Sequence, residues 1–161
     1  MLHHNDLAGV YFNPAYGTIT LCSYPLTNTH RPTRKECEGL ISEAILPFLN
    51  HTGPTLLTAI PKLWLTHLLL HHNSGNKFDA RAVLTFPAPF PDAPKTDEDG
   101  RSFAIMTGVG SAEFVFTKVY GKGTMQVEGI AFSGVWGAGL GVKSPKGEGR
   151  ESAEVWFDRV T

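Results

Sequence analysis

The stretch Leu65-Thr-His-Leu-Leu-Leu-His-His-Asn-Ser-Gly-Asn-Lys-Phe-Asp-Ala-Arg-Ala-Val-Leu-Thr-Phe86 decides how this chain folds. In its second half Phe78, Ala80, Ala82, Leu84 and Phe86 alternate with Lys77, Asp79, Arg81, Val83 and Thr85. That is the period of a strand with one face in a core and the other largely in solvent. Asn73-Ser-Gly-Asn76 ahead of it has the glycine chemistry of a hairpin turn. The first half reads two ways. Its leucines, which run back to Leu56, suit a helix. Pro61 and the strand alternation just past Gly75 argue against one long helix and for a hairpin. Pairing Asn73 with Asn76 sets His71 opposite Phe78, Leu69 opposite Ala80, His67 opposite Ala82 and Leu65 opposite Leu84. Leu65, His67, Leu69 and His71 then face inward. A three-residue loop would exchange the two faces, because the side-chain period is two.

Working outward, further strands read at Leu7–Asn13, Tyr16–Cys22, Leu56–Ile60, Glu113–Tyr120, Thr124–Phe132 and Ala153–Val160, which brings the total to eight. Seventeen glycines and eleven prolines punctuate short apolar segments, as in an all-β domain. The expected fold is a single domain over residues 1–161: an eight-stranded antiparallel barrel. Its first and last strands should be adjacent, so that no edge is exposed. Thr33-Arg-Lys-Glu36 has capping-box spacing and predicts a short helix through Ile41–Phe48 in the long connection after the second strand. Tyr120-Gly-Lys-Gly-Thr124 leaves a register open. A two-residue loop pairs Phe114 with Ala131 and Phe116 with Gly129, and a three-residue loop pairs Phe116 with Glu128. Both of these strands carry apolar residues on both faces, so something must cover the outer one. A second copy, a partner domain or the Pro-rich segment Phe86–Pro94 would each do so.

At 161 residues, roughly two-thirds of the unfolded surface can be buried. A net charge of −1 provides no electrostatic footprint for nucleic acid or an anionic membrane. No apolar run approaches the roughly 20 residues of a membrane span. Met1-Leu-His-His-Asn-Asp6 has neither a basic nor an apolar leader region, so a cytoplasmic location is expected.

The two ends, Leu7-Ala-Gly-Val-Tyr-Phe-Asn-Pro-Ala-Tyr-Gly-Thr-Ile-Thr-Leu-Cys22 and Ala153-Glu-Val-Trp-Phe-Asp-Arg-Val160, resemble the start and finish of a known barrel. It is the lipocalin-like domain that follows the catalytic domain in fungal β-lactamase-related, penicillin-binding-protein-like serine hydrolases. The resemblance spans nearly the whole chain, but its motifs are strand sequences without a catalytic residue. In those proteins a cysteine ends the second strand and another precedes a short glycine-containing stretch, here Cys37-Glu-Gly-Leu-Ile41. The resemblance thus implies a Cys22–Cys37 disulfide and a secreted parent. The alternative is two free thiols in a reducing cytosol. The sequon Asn50-His51-Thr52 matters only in a secreted chain. Met1, shortly before the first strand, favours a free-standing product.

Catalytic motifs are weak. Ser74-Gly-Asn-Lys77 has the S-x-x-K letters but falls on a hairpin turn, where the Lys amine is not one helical turn from the Ser. His67 and His71 have metal-chelating spacing on a helix, but on a strand they stand roughly 13 Å apart at about 3.3 Å per residue. No metal and no cofactor are expected. Gly137-Ala-Gly-Leu-Gly141 fits no phosphate loop.

What remains is a barrel interior. Ala80 and Ala82 leave room where bulkier residues would close the core, and eight-stranded barrels often hold one small ligand. An inward His67, with Glu128 or Glu113 as partner, would then be the acid–base group, since an unperturbed imidazole titrates near 6.5. Trp64, His71, Phe116, Trp136 and Trp156 are the expected ligand contacts, with Trp136 on its glycine-rich segment as a lid. Three functions fit. One is a free-standing barrel that binds a hydrophobic small molecule and promotes a cofactor-independent cyclisation or isomerisation. Another is a non-catalytic accessory domain of a β-lactamase-like hydrolase. The third is a simple carrier. A homo-oligomer fits any of them.

Overall fold

The computed structural model describes residues 4–26, 34–49, 53–63, 65–86, 103–118, 125–134 and 146–160. Its strands run β1 (Gly9–Asn13), β2 (Gly17–Tyr24), β3 (Thr55–Ile60), β4 (Leu65–Ser74), β5 (Lys77–Phe86), β6 (Phe103–Lys118), β7 (Met125–Ser133) and β8 (Val155–Val160). Each pairs antiparallel with the next, and β8 pairs with β1, so the eight strands close into a barrel. Helices α1 (His4–Leu7), α2 (Arg34–Gly39) and α3 (Leu46–Leu49) are short, and 3-10 turns occupy Pro61–Leu63 and Gly149–Ser152. The leucine-rich 56–72 stretch is thus two strands separated at Pro61, not a helix. The predicted helix after β2 is split into α2 and α3 around a turn at 43–45.

The register of the first hairpin corrects the sequence reading. His67 lies opposite Val83, Leu68 opposite Ala82 and Leu70 opposite Ala80. An irregularity between His72 and Ser74 supplies the extra residue that moves the pairing by one. Leu68 and Leu70 therefore face the interior, while His67, Leu69 and His71 face out. The β6–β7 ladder has its own irregularity, with Phe114 opposite Ile130 and Phe116 opposite Val127. Val127 and Ile130 consequently both reach the interior although three residues apart, which explains the mixed apolar pattern of that strand. The outer face is partly covered from within the chain. The Gly149–Ser152 turn packs near Val115, and Trp156 lies across Gly129, where a Cβ would collide with the indole and with the Phe157 carbonyl.

Two apolar clusters result. The interior holds the fully buried rings of Tyr11, Phe78, Phe114, Phe132 and Phe157 among Leu56, Leu68 and Leu70. Phe78 and Phe114 meet edge to face at 5.1 Å, as do Phe132 and Phe157 at 5.8 Å. The second cluster lies outside the barrel wall, where α2 and α3 press Cys37, Ile45 and Leu49 onto Leu57, Leu69 and Val83. Cys22 and Cys37 are joined there by a disulfide, with Cα atoms 5.6 Å apart.

The two ends of the barrel differ. At the end where β1 begins, α1 inserts Leu7 into the interior cluster. Arg159 ties that end shut through the carbonyls of Asp6 at 2.8 Å and Ala8 at 3.0 Å and the Tyr11 hydroxyl at 3.2 Å. The opposite end carries the β1–β2 turn and the Pro61–Leu63 turn; β5 and β7 end there, and β6 and β8 begin there. Among the described residues no helix is long and apolar enough to cross a membrane.

Candidate functional site

Directly opposed residues in neighbouring strands share a face of the sheet, so the ladders can be read as rows around the inner wall. One row is Thr58, Leu68, Ala82 and Gly108; the next is Leu56, Leu70, Ala80 and Gly110. Leucine fills the β4 positions, but on β5 and β6 two successive inward pairs are Ala with Gly. Bulk is missing on one side of the barrel only. A Cβ placed on Gly108 would meet a single atom within 4 Å, the Ala82 Cβ at 3.8 Å. Among the described residues no other atom comes within 4 Å of that point. Tyr16 and Leu65, at the end away from α1, are half-buried and pack on the interior cluster.

Two hydroxyls lie near these rows, and they differ in what they have left to offer. Thr66 Oγ1 donates to the Val83 carbonyl at 2.9 Å and accepts from the Thr85 N–H at 2.8 Å, so it is part of the wall. Thr58 Oγ1 donates at 3.3 Å to the carbonyl of its own neighbour Ala59, a long local bond. Thr58 sits two strands from Ala82 in the same row, roughly 10 Å along the wall at about 4.8 Å per strand. The site is therefore a patch of small residues on the inner wall, with Ala80 and Ala82 themselves buried and one hydroxyl at its margin.

The residues expected from the sequence are not gathered there. His67 is buried on the outer face, 1% exposed, beneath the segment carrying α2 and α3. Its Nε2 lies 2.6 Å from the Leu40 carbonyl and its Nδ1 3.1 Å from Thr66 Oγ1. A carbonyl only accepts, so Nε2 carries the proton. Burial holds the imidazole pKa below its ordinary 6.5, with the Leu40 hydrogen bond opposing in part. His67 is a neutral strut between flap and wall, and its assignment as an inward acid–base group is corrected. Glu128 is exposed on the outside of β7 and cannot partner it.

His71 is on the outer face of β4, opposite Asp79 and 3.4 Å from Thr55 Oγ1. Trp156 is also outside, its Nε1 donating to Asp158 at 2.7 Å and its ring under Arg150 at 5.2 Å. Phe116 does face the interior, half-buried, but in the half of β6 nearer the α1 end. Trp64 and Trp136, and with Trp136 the lid, lie outside the described residues.

The recess was half-visible in the sequence through Ala80 and Ala82. Gly108-Val-Gly110 is the matching signal, small residues at strand period, and it went unread because the stretch before Glu113 was not taken as strand. Among the described residues, no three His, Cys, Asp or Glu side chains converge on a point that would hold a metal ion. Compared with models of protein families, with curated proteins and with solved structures, the chain matches none.

Proposed function

We propose that this barrel binds a hydrophobic small molecule, taken up at the end away from α1 and seated against Ala80, Ala82, Gly108 and Gly110. The carrying observation is the space in front of Gly108, where among the described residues a Cβ would meet the Ala82 Cβ and nothing else within 4 Å. Apolar recesses with one placed polar group are the usual form of small-molecule sites. Here Thr58 is that group, suited to a ligand bearing a single carbonyl or hydroxyl. With His67 and Glu128 outside, the recess contributes shape and exclusion of water to any conversion of the ligand, the means available to a cofactor-independent cyclase or isomerase.

A second reading, the accessory domain of a β-lactamase-like hydrolase, is favoured by the Cys22–Cys37 bond, the pairing that the resemblance to those barrels implies. Disulfides persist in oxidising compartments, which also suits a secreted parent.

Titration of the isolated chain with anilinonaphthalene sulfonate, displaced by an unbranched fatty acid or a terpenoid alcohol, tests the binding reading. Ala82→Phe should raise the probe Kd about tenfold or more, because a phenyl fills the recess. Far-UV circular dichroism should show that the variant keeps the barrel, a needed check because Ala82 is itself 3% exposed. Absence of probe binding to the wild type, or equal binding to Ala82→Phe, would overturn it and leave the accessory reading.

A further inference from the structure

β6 outruns its neighbour on one side. From Phe103 to Gly110 it pairs with β5, between Phe86↔Phe103 and Ala80↔Gly110. β7 meets it only from Ser111↔Ser133 onward. The ladder stops there for a local reason. Gly134 takes φ +79°, and its N–H donates to the Glu154 carboxylate at 2.8 Å, which turns the chain away from β6. Among the described residues, the second edge of Phe103–Gly110 has no strand against it.

Apart from one irregularity at Thr107, that edge carries none of the usual protections among the described residues. Phe103-Ala-Ile-Met-Thr-Gly-Val-Gly110 contains no Lys, Arg, Asp, Glu or Pro. Charges, prolines and helical covers are what normally prevent an open strand from recruiting another. Ile105 and Met106, on opposite faces of the strand, are 49% and 50% exposed.

We propose that the Phe103–Gly110 edge pairs antiparallel with the same edge of a second copy of this chain, about a two-fold axis that joins two barrels through β6. An antiparallel edge is complementary to itself: its outward N–H and C=O groups find C=O and N–H groups on an identical strand running the other way. The uncharged sequence provides no repulsion between copies and no counter-charge for an ionic peptide. Side by side, Ile105 and Met106 of one copy cover their equivalents on the other, which removes from water the apolar surface the monomer exposes.

Size-exclusion chromatography with light scattering on the whole chain, at tens of micromolar, should show twice the chain mass. Ile105→Lys and, separately, Met106→Lys should each shift the peak to the single-chain mass. Far-UV circular dichroism should stay unchanged, since both positions are half in solvent. A second readout does not depend on those variants. The chain's only two cysteines are bonded to each other, so a new thiol is the single reactive one. Thr107→Cys, at the middle of the edge, should form an intermolecular disulfide on mild oxidation. Ser42→Cys, on the exposed turn between α2 and α3, should not. A wild type at the single-chain mass over that range overturns the pairing. So does a dimer that survives both lysine variants, or a Thr107→Cys chain that does not cross-link.

Discussion

His67 shows how one side chain can be buried, polar and still structural. With Nε2–H given to Leu40, the neutral ring must accept at Nδ1, and the only group there is the Thr66 hydroxyl. That hydroxyl has one proton, for which Nδ1 and the Val83 carbonyl compete. Protonating the ring resolves the competition but places a charge in the apolar layer under the flap. Burial is the larger effect, so the folded pKa lies below 6.5. The unfolded chain then binds the proton more readily, and stability from this group is complete above about 6.5 and lost as the pH falls toward the lowered folded value. Thermal unfolding at about pH 7.5 and about pH 5.5 should therefore show a larger loss on acidification for the wild type than for His67→Gln. An equal loss in both proteins would mean that another group governs the acid limb. At neutral pH the same substitution should cost roughly 1–3 kcal/mol through the weakened Leu40 contact.

At the scale of elements, α2 and α3 are too short to be stable alone, since isolated helices below roughly a dozen residues are marginal in water. Their order comes from what they press against and what ties them down. Ile45 and Leu49 pack on Leu57, Leu69 and Val83, and the disulfide closes a separation of 15 residues. The Arg34–Glu38 pair at 2.7 Å is half in solvent on both sides and adds little. Loop-closure entropy assigns a cross-link of this span about 3 kcal/mol. Cys22→Ala with Cys37→Ala should lose about that much in urea unfolding, and a reductant should destabilise the wild type by a similar amount while leaving the double variant unmoved. A loss below about 1 kcal/mol would show that packing alone holds the flap. The β6–β7 irregularity is the corresponding device in the sheet: one unpaired residue lets Val127 and Ile130 share the interior without disturbing either end of the ladder.

For the whole molecule the decisive contact is the closure of β8 on β1. Arg159 reaches across it to two α1-side carbonyls and the Tyr11 hydroxyl, and its guanidinium lies 5.5 Å from the Tyr11 ring centre. Gly9 is small for this reason: a Cβ there would come within 3.0 Å of the guanidinium. Burial pushes the Tyr11 hydroxyl up to about 12, the nearby arginine opposing, so the phenol stays protonated and donates to the Leu7 carbonyl. Arg159→Met should lower the unfolding free energy by about 1–2 kcal/mol, since it removes the donor shared by two carbonyls and the Tyr11 hydroxyl at a partly buried seam. The urea m-value should hold, because the surface exposed on unfolding is almost unchanged. A fall in m would indicate a barrel opened at the β1–β8 seam in the native state. Binding at the far end should persist in this variant, which separates closure from uptake.

The barrel itself was legible in residue order. Alternation in Lys77–Phe86, the Asn73–Asn76 turn and evenly spaced short apolar segments suffice to specify many antiparallel strands, and the neighbouring of first and last follows from the cost of an open edge. Which face is inside was not. Side chains alternate with period two, so a single extra residue near His72 exchanged Leu68 and Leu70 with His67 and Leu69, and nothing local to the turn marks that residue. The first half of β6 stayed hidden because Gly108 and Gly110 have little strand preference of their own; pairing with β5 holds them extended. The recess then arises from glycines and alanines meeting across two strands, an arrangement that exists only once the register is set. Composition decided that there would be a barrel, and long-range pairing decided what it encloses.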